Sequence, residues 1–137
     1  MDGDSDLTCA VIGAAIEVHR ALGPGLLESA YEACLAHELA KRRIPVVRQV
    51  ECPVLHDGVH LDCGDRLDLL VAGQLVVELK TVERFLPIHM AQLLTYLRLR
   101  GAPVGLLLNF HTLRLTDGIQ RVVNQQAPRP PRPPRFT

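Results

Sequence analysis

The amino-acid sequence predicts an α/β fold with one mixed central sheet flanked by helices. Two stretches with apolar residues at helical spacing come first, and a strand-rich segment follows them. A third helical stretch then leads into an almost wholly apolar run at residues 104–110, which is typical of a strand buried on both faces. Hairpins followed by a helical crossover to another strand indicate a sheet with both antiparallel and parallel pairs.

The first two helices are predicted at residues 6–21 and 26–43, separated by the helix-breaking sequence Gly-Pro-Gly at 23–25. The third helix is predicted to begin at Pro87, because proline suits the first turn of a helix, and to run to residue 100. The folded domain is expected to span residues 1–124. The remaining residues, 125–137, form a tail rich in proline and arginine.

Two hairpins are predicted between the second and third helices. Residues 46–55 and 59–63 are expected to pair around the turn Asp57-Gly58. Residues 66–71 and 75–80 are expected to pair around the segment at 72–74. A short edge strand is also predicted at residues 113–115.

The second hairpin segregates its charged and apolar residues if its turn spans three residues. Val71 then faces Leu75, and Asp68 lies directly opposite Glu78 on the same face of the sheet. Lys80 points to that face too, because side chains two residues apart in a strand lie on one side. The other face is expected to carry only the aliphatic residues Leu67, Leu69, Val71, Leu75, Val77 and Leu79.

Two carboxylates at cross-strand distance favour a hard divalent cation such as Mg²⁺ or Mn²⁺, which one or two carboxylates and several waters can hold. The lysine beside Asp68 and Glu78 would stabilise developing negative charge or orient a metal-activated water. This is the chemistry of phosphodiester hydrolysis. Arg66 shares the charged face and is a second candidate cation for a phosphate. The alternative for the same hairpin is a polar sheet edge with an incidental ion pair.

Three motifs in order give the sequence a family resemblance. Asp68 followed by Glu78-Leu79-Lys80 resembles the D…(D/E)xK signature of the PD-(D/E)XK nuclease superfamily, although Leu67 replaces the proline of that name. The segment from Gln92 to Tyr96 resembles the QxxxY motif of the branch that is similar to RecB and lambda exonuclease. The sequence GLLESAY at 25–31 is similar to the signature of GxxExxY proteins, a family of small bacterial proteins.

The resemblance covers roughly residues 7–115. It implies a restriction-endonuclease-like αβββαβ core and a Mg²⁺-dependent nuclease, with DNA favoured over RNA by family analogy alone. Asp68, Glu78 and Lys80 would be the catalytic residues, and Gln92 and Tyr96 would bind the substrate together with Arg66. The acids implied to hold the metal are Asp68, Glu78 and Glu28.

Some of these residue types also suit purely structural roles. An acid such as Glu28 at the start of a helix is favoured by the helix dipole whether or not it binds a metal. Tyr31 and His19 are interpreted as packing and hydrogen-bonded structural residues. His89 could line the same cleft as Gln92. The four cysteines form no CxxC pair, so reduced thiols are expected rather than a zinc site.

Composition limits the partners that we expect. Fifteen basic residues balance fifteen acidic ones, so nucleic-acid binding requires a local patch, for which Arg84, Arg98 and Arg100 are candidates. No apolar run is long enough to span a membrane, and the acidic start MDGDSD is unlike a signal peptide, so a cytoplasmic location is expected.

The small size of the chain also favours a second hypothesis, in which the protein is a catalytically silent nuclease fold that acts as a binding module or self-assembles as a homo-oligomer.

Overall fold

The computed structural model describes residues 3–125, and their side chains from residue 6 onward. Residues 126–137 of the predicted tail lie outside this part. The helices are α1 (Gly3–Leu22), α2 (Glu28–Lys41) and α3 (Pro87–Arg100), with a short 3₁₀ helix at Leu115–Gly118. The strands are β1 (Val46–Glu51), β2 (Val54–His56), β3 (Val59–Leu61), β4 (Arg66–Val71), β5 (Leu75–Lys80), β6 (Val104–Asn109) and β7 (Ile119–Val123).

Five strands form one mixed sheet in the order β1-β4-β5-β6-β7, while β2 and β3 form a separate two-stranded sheet. The pair β5–β6 is parallel because α3 connects the two strands, and the other pairs are antiparallel. This arrangement confirms the predicted mixed α/β architecture and is consistent with a restriction-endonuclease-like fold. Within the described residues, no helix is both long and apolar enough to cross a membrane.

Helices pack against both faces of the sheet. One buried cluster joins α1 and α2 to the sheet through residues that include Val11, Val18, Leu35, Leu39, Leu69, Val77, Leu106 and Phe110. The other cluster joins α3 to the opposite face through Leu93, Leu97, Leu70, Val76 and Leu107. Leu67 belongs to this second cluster, so the predicted single layer of six aliphatic residues is wrong. Asp68, which follows Leu67, has no partner in the ladder between β1 and β4. The alternation of side chains between the two faces is interrupted there, so Leu67 and Leu69 belong to clusters on opposite faces.

The predicted pairing of residues 46–55 with 59–63 is confirmed only next to the turn, where Val54 and Leu55 pair with Leu61 and His60, and it is wrong for residues 46–51. Strand β1 pairs with β4, and only β2 and β3 pair around Asp57-Gly58. Cys52 and Pro53 separate β1 from β2. Proline has no N–H to contribute to a ladder, so the strand is interrupted there and β1 joins the main sheet alone.

The last strand lies later in the chain than the predicted edge strand at 113–115. Residues 115–118 form the 3₁₀ helix, and β7 follows it and pairs with β6. Gly118 allows this return, because a Cβ atom at that position would lie 2.5 Å from the carbonyl oxygen of Asn109. The helix bounds differ less: α1 begins three residues earlier than predicted, α2 is shorter at both ends, and α3 spans the predicted residues.

Candidate active site

The β4–β5 hairpin has the predicted register. Val71 pairs with Leu75, and Leu69 pairs with Val77. Ala72 and Gly73 in the turn both have positive φ, at 52° and 70°, which closes the three-residue connection. The same register places Asp68 opposite Glu78, one position beyond the last backbone pair.

At Asp68 and Glu78, side chains take over the hydrogen bonding of the ladder. The backbone N–H of Asp68 donates to Oε2 of Glu78 at 2.7 Å. The backbone N–H of Leu79 donates to Oδ2 of Asp68 at 2.9 Å. Each carboxylate is therefore held by the backbone of the opposite strand, and the two acids are fixed side by side.

The environment of the two carboxylates opposes their ionisation. Glu78 is 4% exposed, and burial, followed by the negative charge of Asp68, raises the pKa of Glu78 to about 8. Burial also raises the pKa of Asp68, and the charges of Glu32 and Glu28 act in the same direction. A cation between two such acids favours their ionised forms, so this pair of oxygen donors fits a divalent metal.

Among the described residues, no group of three or more His, Cys, Asp or Glu side chains is arranged to hold a metal ion. Mg²⁺ does not need such a cage, because it is usually bound through one or two carboxylates and keeps several waters. Asp68 and Glu78 are therefore sufficient protein ligands if water or substrate oxygens complete the coordination.

Glu28 lies at the edge of this pair. It is the first residue of α2, and its Oε2 accepts the backbone N–H of Thr81 at 3.2 Å. Thr81 follows Lys80 directly, so this bond ties the start of α2 to the end of β5. Glu28 is exposed, and its charge contributes to the raised pKa of both Asp68 and Glu78.

A chain of polar contacts runs from the end of β5 to α3. Nζ of Lys80 donates to Oε1 of Gln92 at 3.4 Å, and Nε2 of Gln92 contacts the hydroxyl of Tyr96 at 3.4 Å. Burial, and then the charge of Glu78, raises the pKa of Tyr96. The expected i,i+4 arrangement of Gln92 and Tyr96 thus lies beside the lysine and the acids.

Arg66 forms an ion pair with an acid on the neighbouring strand. Its Nη2 lies 3.4 Å from Oε1 of Glu51, its register partner on β1. Its Nη1 atom is buried and has no hydrogen-bond partner within the described part of the chain. The Arg66 side chain as a whole is 36% exposed, so part of it is accessible from solvent although Nη1 is not.

The acidic pair, the lysine and the flanking helix agree with a sequence comparison. A family model described as the PD-(D/E)XK nuclease superfamily matches residues 5–122. The chain belongs to the PD-(D/E)XK nuclease superfamily. Searches of curated proteins and of solved structures gave no significant match. Nucleases of this superfamily generally use divalent metals, which agrees with the chemistry of the two carboxylates.

Two residues near the acidic pair, Glu32 and Gln49, were not among the predicted site residues. Glu32 on α2 is only 6% exposed, and it accepts hydrogen bonds from Arg48 Nε at 3.0 Å and from Gln49 Nε2 at 2.7 Å. Gln49 also reaches Oδ1 of Asp68 at 3.5 Å. The signal for Glu32 was its spacing of four residues from Glu28, which places both on one helix face.

A third residue that was not predicted, Asn109, holds the loop that follows Lys80. Asn109 is buried at the end of β6 and is the register partner of Lys80. Its Oδ1 accepts the N–H groups of Val82 and His111, both at 3.1 Å, and its Nδ2 donates to the Val82 carbonyl at 2.7 Å. The available signal was an amide residue inside an otherwise apolar run.

Three other candidates have structural contacts. The hydroxyl of Tyr31 donates to the Gly23 carbonyl, and its ring stacks on Phe110 with 4.5 Å between centroids. Nε2 of His19 is 2.8 Å from the carbonyl oxygen of Thr112. Nδ1 of His89 accepts the N–H of Leu86 at 2.9 Å, so His89 caps the start of α3. The interpretation of Tyr31 and His19 as structural residues is consistent with these contacts.

Proposed function

We propose that this protein is a Mg²⁺-dependent nuclease that hydrolyses phosphodiester bonds of DNA. The observation that carries the proposal is the pair of carboxylates, Asp68 and Glu78, fixed side by side by the backbone of each other's strand. Membership of a nuclease superfamily supports the reaction class. The contact between Lys80 and Gln92 supports a reaction centre at the end of β5.

Each of these residues would have a separate role in such a reaction. Asp68 and Glu78 would hold the metal, with Glu28 as a third acid at its edge, and the bound ion would supply Lewis-acid activation of water and phosphate. The positive charge of Lys80 acts on both Asp68 and Glu78, and there it would orient the attacking water and stabilise the charge that develops on the phosphate. Gln92, backed by Tyr96, would restrict the lysine to that position.

We propose that exposed basic side chains guide a substrate strand to this centre, although the net charge of the chain is zero. Arg84 is exposed and lines a cavity of about 560 Å³ in the loop that follows Lys80. The other lining residues are Val82, Glu83, Leu86 and His89. Arg98 and Arg100 lie in the last turn of α3, and both are exposed. We assign these arginines and Arg66 to phosphate contacts that position the strand without reading its sequence.

We also propose a narrower placement of the chain. Its GLLESAY segment supports membership of the bacterial GxxExxY family. A single nuclease-like domain at residues 1–124, the tail at 125–137 and a cytoplasmic location complete this proposal.

A cleavage assay tests the reaction. Labelled single- and double-stranded DNA and RNA are incubated with the protein and Mg²⁺ or Mn²⁺, and DNA cleavage is the expected result. Glu78→Gln and Lys80→Ala should each lower the rate by about 100-fold or more, since each removes a charge from the reacting centre. Lys41→Ala is the matched control, because Lys41 lies about 20 Å further along α2 than Glu28. Full activity of Lys80→Ala would overturn the assigned mechanism.

Exposed apolar side chains favour the second candidate function, a catalytically silent module that binds a partner or forms a homo-oligomer. Leu113 is 90% exposed, Leu27 is 77% exposed and Ile88 is 67% exposed. Apolar side chains of this kind mark an interaction surface where they lie together in one patch. A large, stable assembly in light scattering, together with no uptake of Mg²⁺ or Mn²⁺ in calorimetry, would favour this function over the nuclease.

A further inference from the structure

Gln49 occupies a break in the pairing between β1 and β4. The ladder continues on both sides of it through two pairs, Arg48 with Leu69 and Val50 with Leu67. By this register Gln49 lies opposite Asp68, but the two residues form no ladder pair. Since Asp68 lies opposite Glu78, three neighbouring strands place an amide and two carboxylates in one row.

The backbone of Gln49 is left-handed, with φ of 53°. This conformation is unfavourable for a residue with a Cβ atom, and it is rare inside a strand. Strained backbone that the surrounding structure maintains is found preferentially at functional sites. The left-handed residue therefore lies directly beside the acidic pair, opposite Asp68.

The carboxamide of Gln49 lies between two acids. Its Nε2 is 2.7 Å from Oε1 of Glu32 and 3.5 Å from Oδ1 of Asp68. An amide nitrogen has two hydrogens, so it can donate to both carboxylates. Glu32 is itself fixed, because it is buried in α2 and its other oxygen accepts a bond from Arg48 at 3.0 Å.

We propose that Gln49, anchored by Glu32, is a positioning residue that orients the Asp68 carboxylate for metal binding. The inference rests on the proposed function, in which Asp68 is a metal ligand. Donor groups behind metal ligands fix their orientation, and the loss of such a group typically lowers metal affinity 10- to 100-fold. Oδ2 of Asp68 is already held by the Leu79 amide, so Gln49 restrains the second oxygen of the same carboxylate.

Calorimetric titration with Mn²⁺ tests the role of the amide. Gln49→Met keeps the side-chain length but removes the N–H donors, and we expect its Mn²⁺ affinity to fall about 10-fold or more. Gln74→Met, on the exposed turn between β4 and β5, is the matched control and should bind like the wild type. Gln49→Gly, which suits the left-handed backbone, should show the same loss even if the methionine variant folds poorly. Wild-type affinity in a folded Gln49 variant would overturn the proposal.

A second measurement separates this inference from the proposed function. If the wild type takes up no Mn²⁺ and cleaves no substrate with Mg²⁺ or Mn²⁺, the proposed function is wrong, and the positioning role is then decided by crystal structures of the metal-free proteins. The proposal requires the Asp68 carboxylate to rotate or become disordered in Gln49→Met while the backbone of β4 is retained. An unchanged Asp68 side chain in that variant would overturn the positioning role independently of any metal.

Discussion

Glu78 accepts the backbone N–H of Asp68 at 2.7 Å, although the carboxylates of these two residues repel each other when both are ionised. The hydrogen bond favours the charged form of Glu78, but burial and the neighbouring charge outweigh it, and the pKa rises to about 8. At neutral pH and without metal, the folded protein therefore holds a proton on Glu78 that the unfolded chain releases. This difference makes stability depend on pH.

The first prediction concerns the stability of the metal-free protein between pH 5 and pH 8. The folded-state pKa of Glu78 lies above the ordinary value of 4.5, so its stabilising contribution is complete below pH 4.5 and is lost as the pH rises towards 8. We expect the free energy of unfolding to fall by an amount on the order of a few kcal/mol across this range. Glu78→Gln cannot ionise, so it should flatten the slope and be more stable than the wild type at pH 8. Urea unfolding with EDTA present measures both effects.

Glu38→Gln is the matched control for this experiment. The hydrogen bond from Arg42 holds the pKa of Glu38 below its usual range, so Glu38 titrates below the tested window. This control should keep the slope of the wild type between pH 5 and pH 8. Parallel pH profiles for the wild type and Glu78→Gln would contradict the prediction.

The register of the acidic hairpin could be predicted because it depends on neighbouring residues alone. Alternation of charged and aliphatic side chains and a three-residue turn together allow only one pairing of β4 with β5. That pairing places Asp68 opposite Glu78, as the observed pair of Val71 with Leu75 confirms. The third helix was predictable for the same reason, since Pro87 and Gly101 mark its two ends.

The partner of β1 could not be predicted from local signals. The Asp57-Gly58 turn correctly indicates a hairpin, but it does not determine how far each strand extends. Strand β1 pairs with β4, and the whole β2–β3 hairpin lies between them in the chain. This pairing depends on contacts between distant residues, which local patterns do not show. The left-handed backbone of Gln49 was equally hidden, because glutamine carries no propensity for that conformation. Its contact with Glu32 became visible only in three dimensions.

The second prediction ranks two residues of the polar chain behind the lysine. Gln92 contacts Lys80 directly, whereas Tyr96 reaches the lysine only through Gln92. In a cleaving enzyme, Gln92→Ala should lower kcat by roughly 10- to 100-fold, because misplacing a reacting group by about 1 Å has an effect of that size. Tyr96→Phe should lower kcat less. Steady-state cleavage kinetics on the same DNA substrate measure both.

Thr95→Ala provides the control on the same turn of α3. The Thr95 hydroxyl donates to the Ala91 carbonyl at 3.0 Å within the helix, so its removal should leave kcat unchanged. A larger loss in Tyr96→Phe than in Gln92→Ala would show that the hydroxyl acts on the reaction directly. The order Lys80, Gln92, Tyr96 would then be wrong.

The third prediction concerns Tyr31, the tyrosine of the GLLESAY segment. Its hydroxyl donates to the Gly23 carbonyl and accepts the N–H of Leu26 at 3.1 Å, so it closes the loop that precedes α2. The ring is fully buried, and Tyr31→Phe should keep its packing while losing both bonds, at a cost of about 1–3 kcal/mol of unfolding free energy. Urea unfolding at pH 7 measures this cost.

Tyr96→Phe is the matched comparison, and it should cost less, because the bond between the Tyr96 hydroxyl and Gln92 is long, at 3.4 Å. Equal losses in the two variants would contradict a special role for Tyr31 in holding the loop that leads to Glu28.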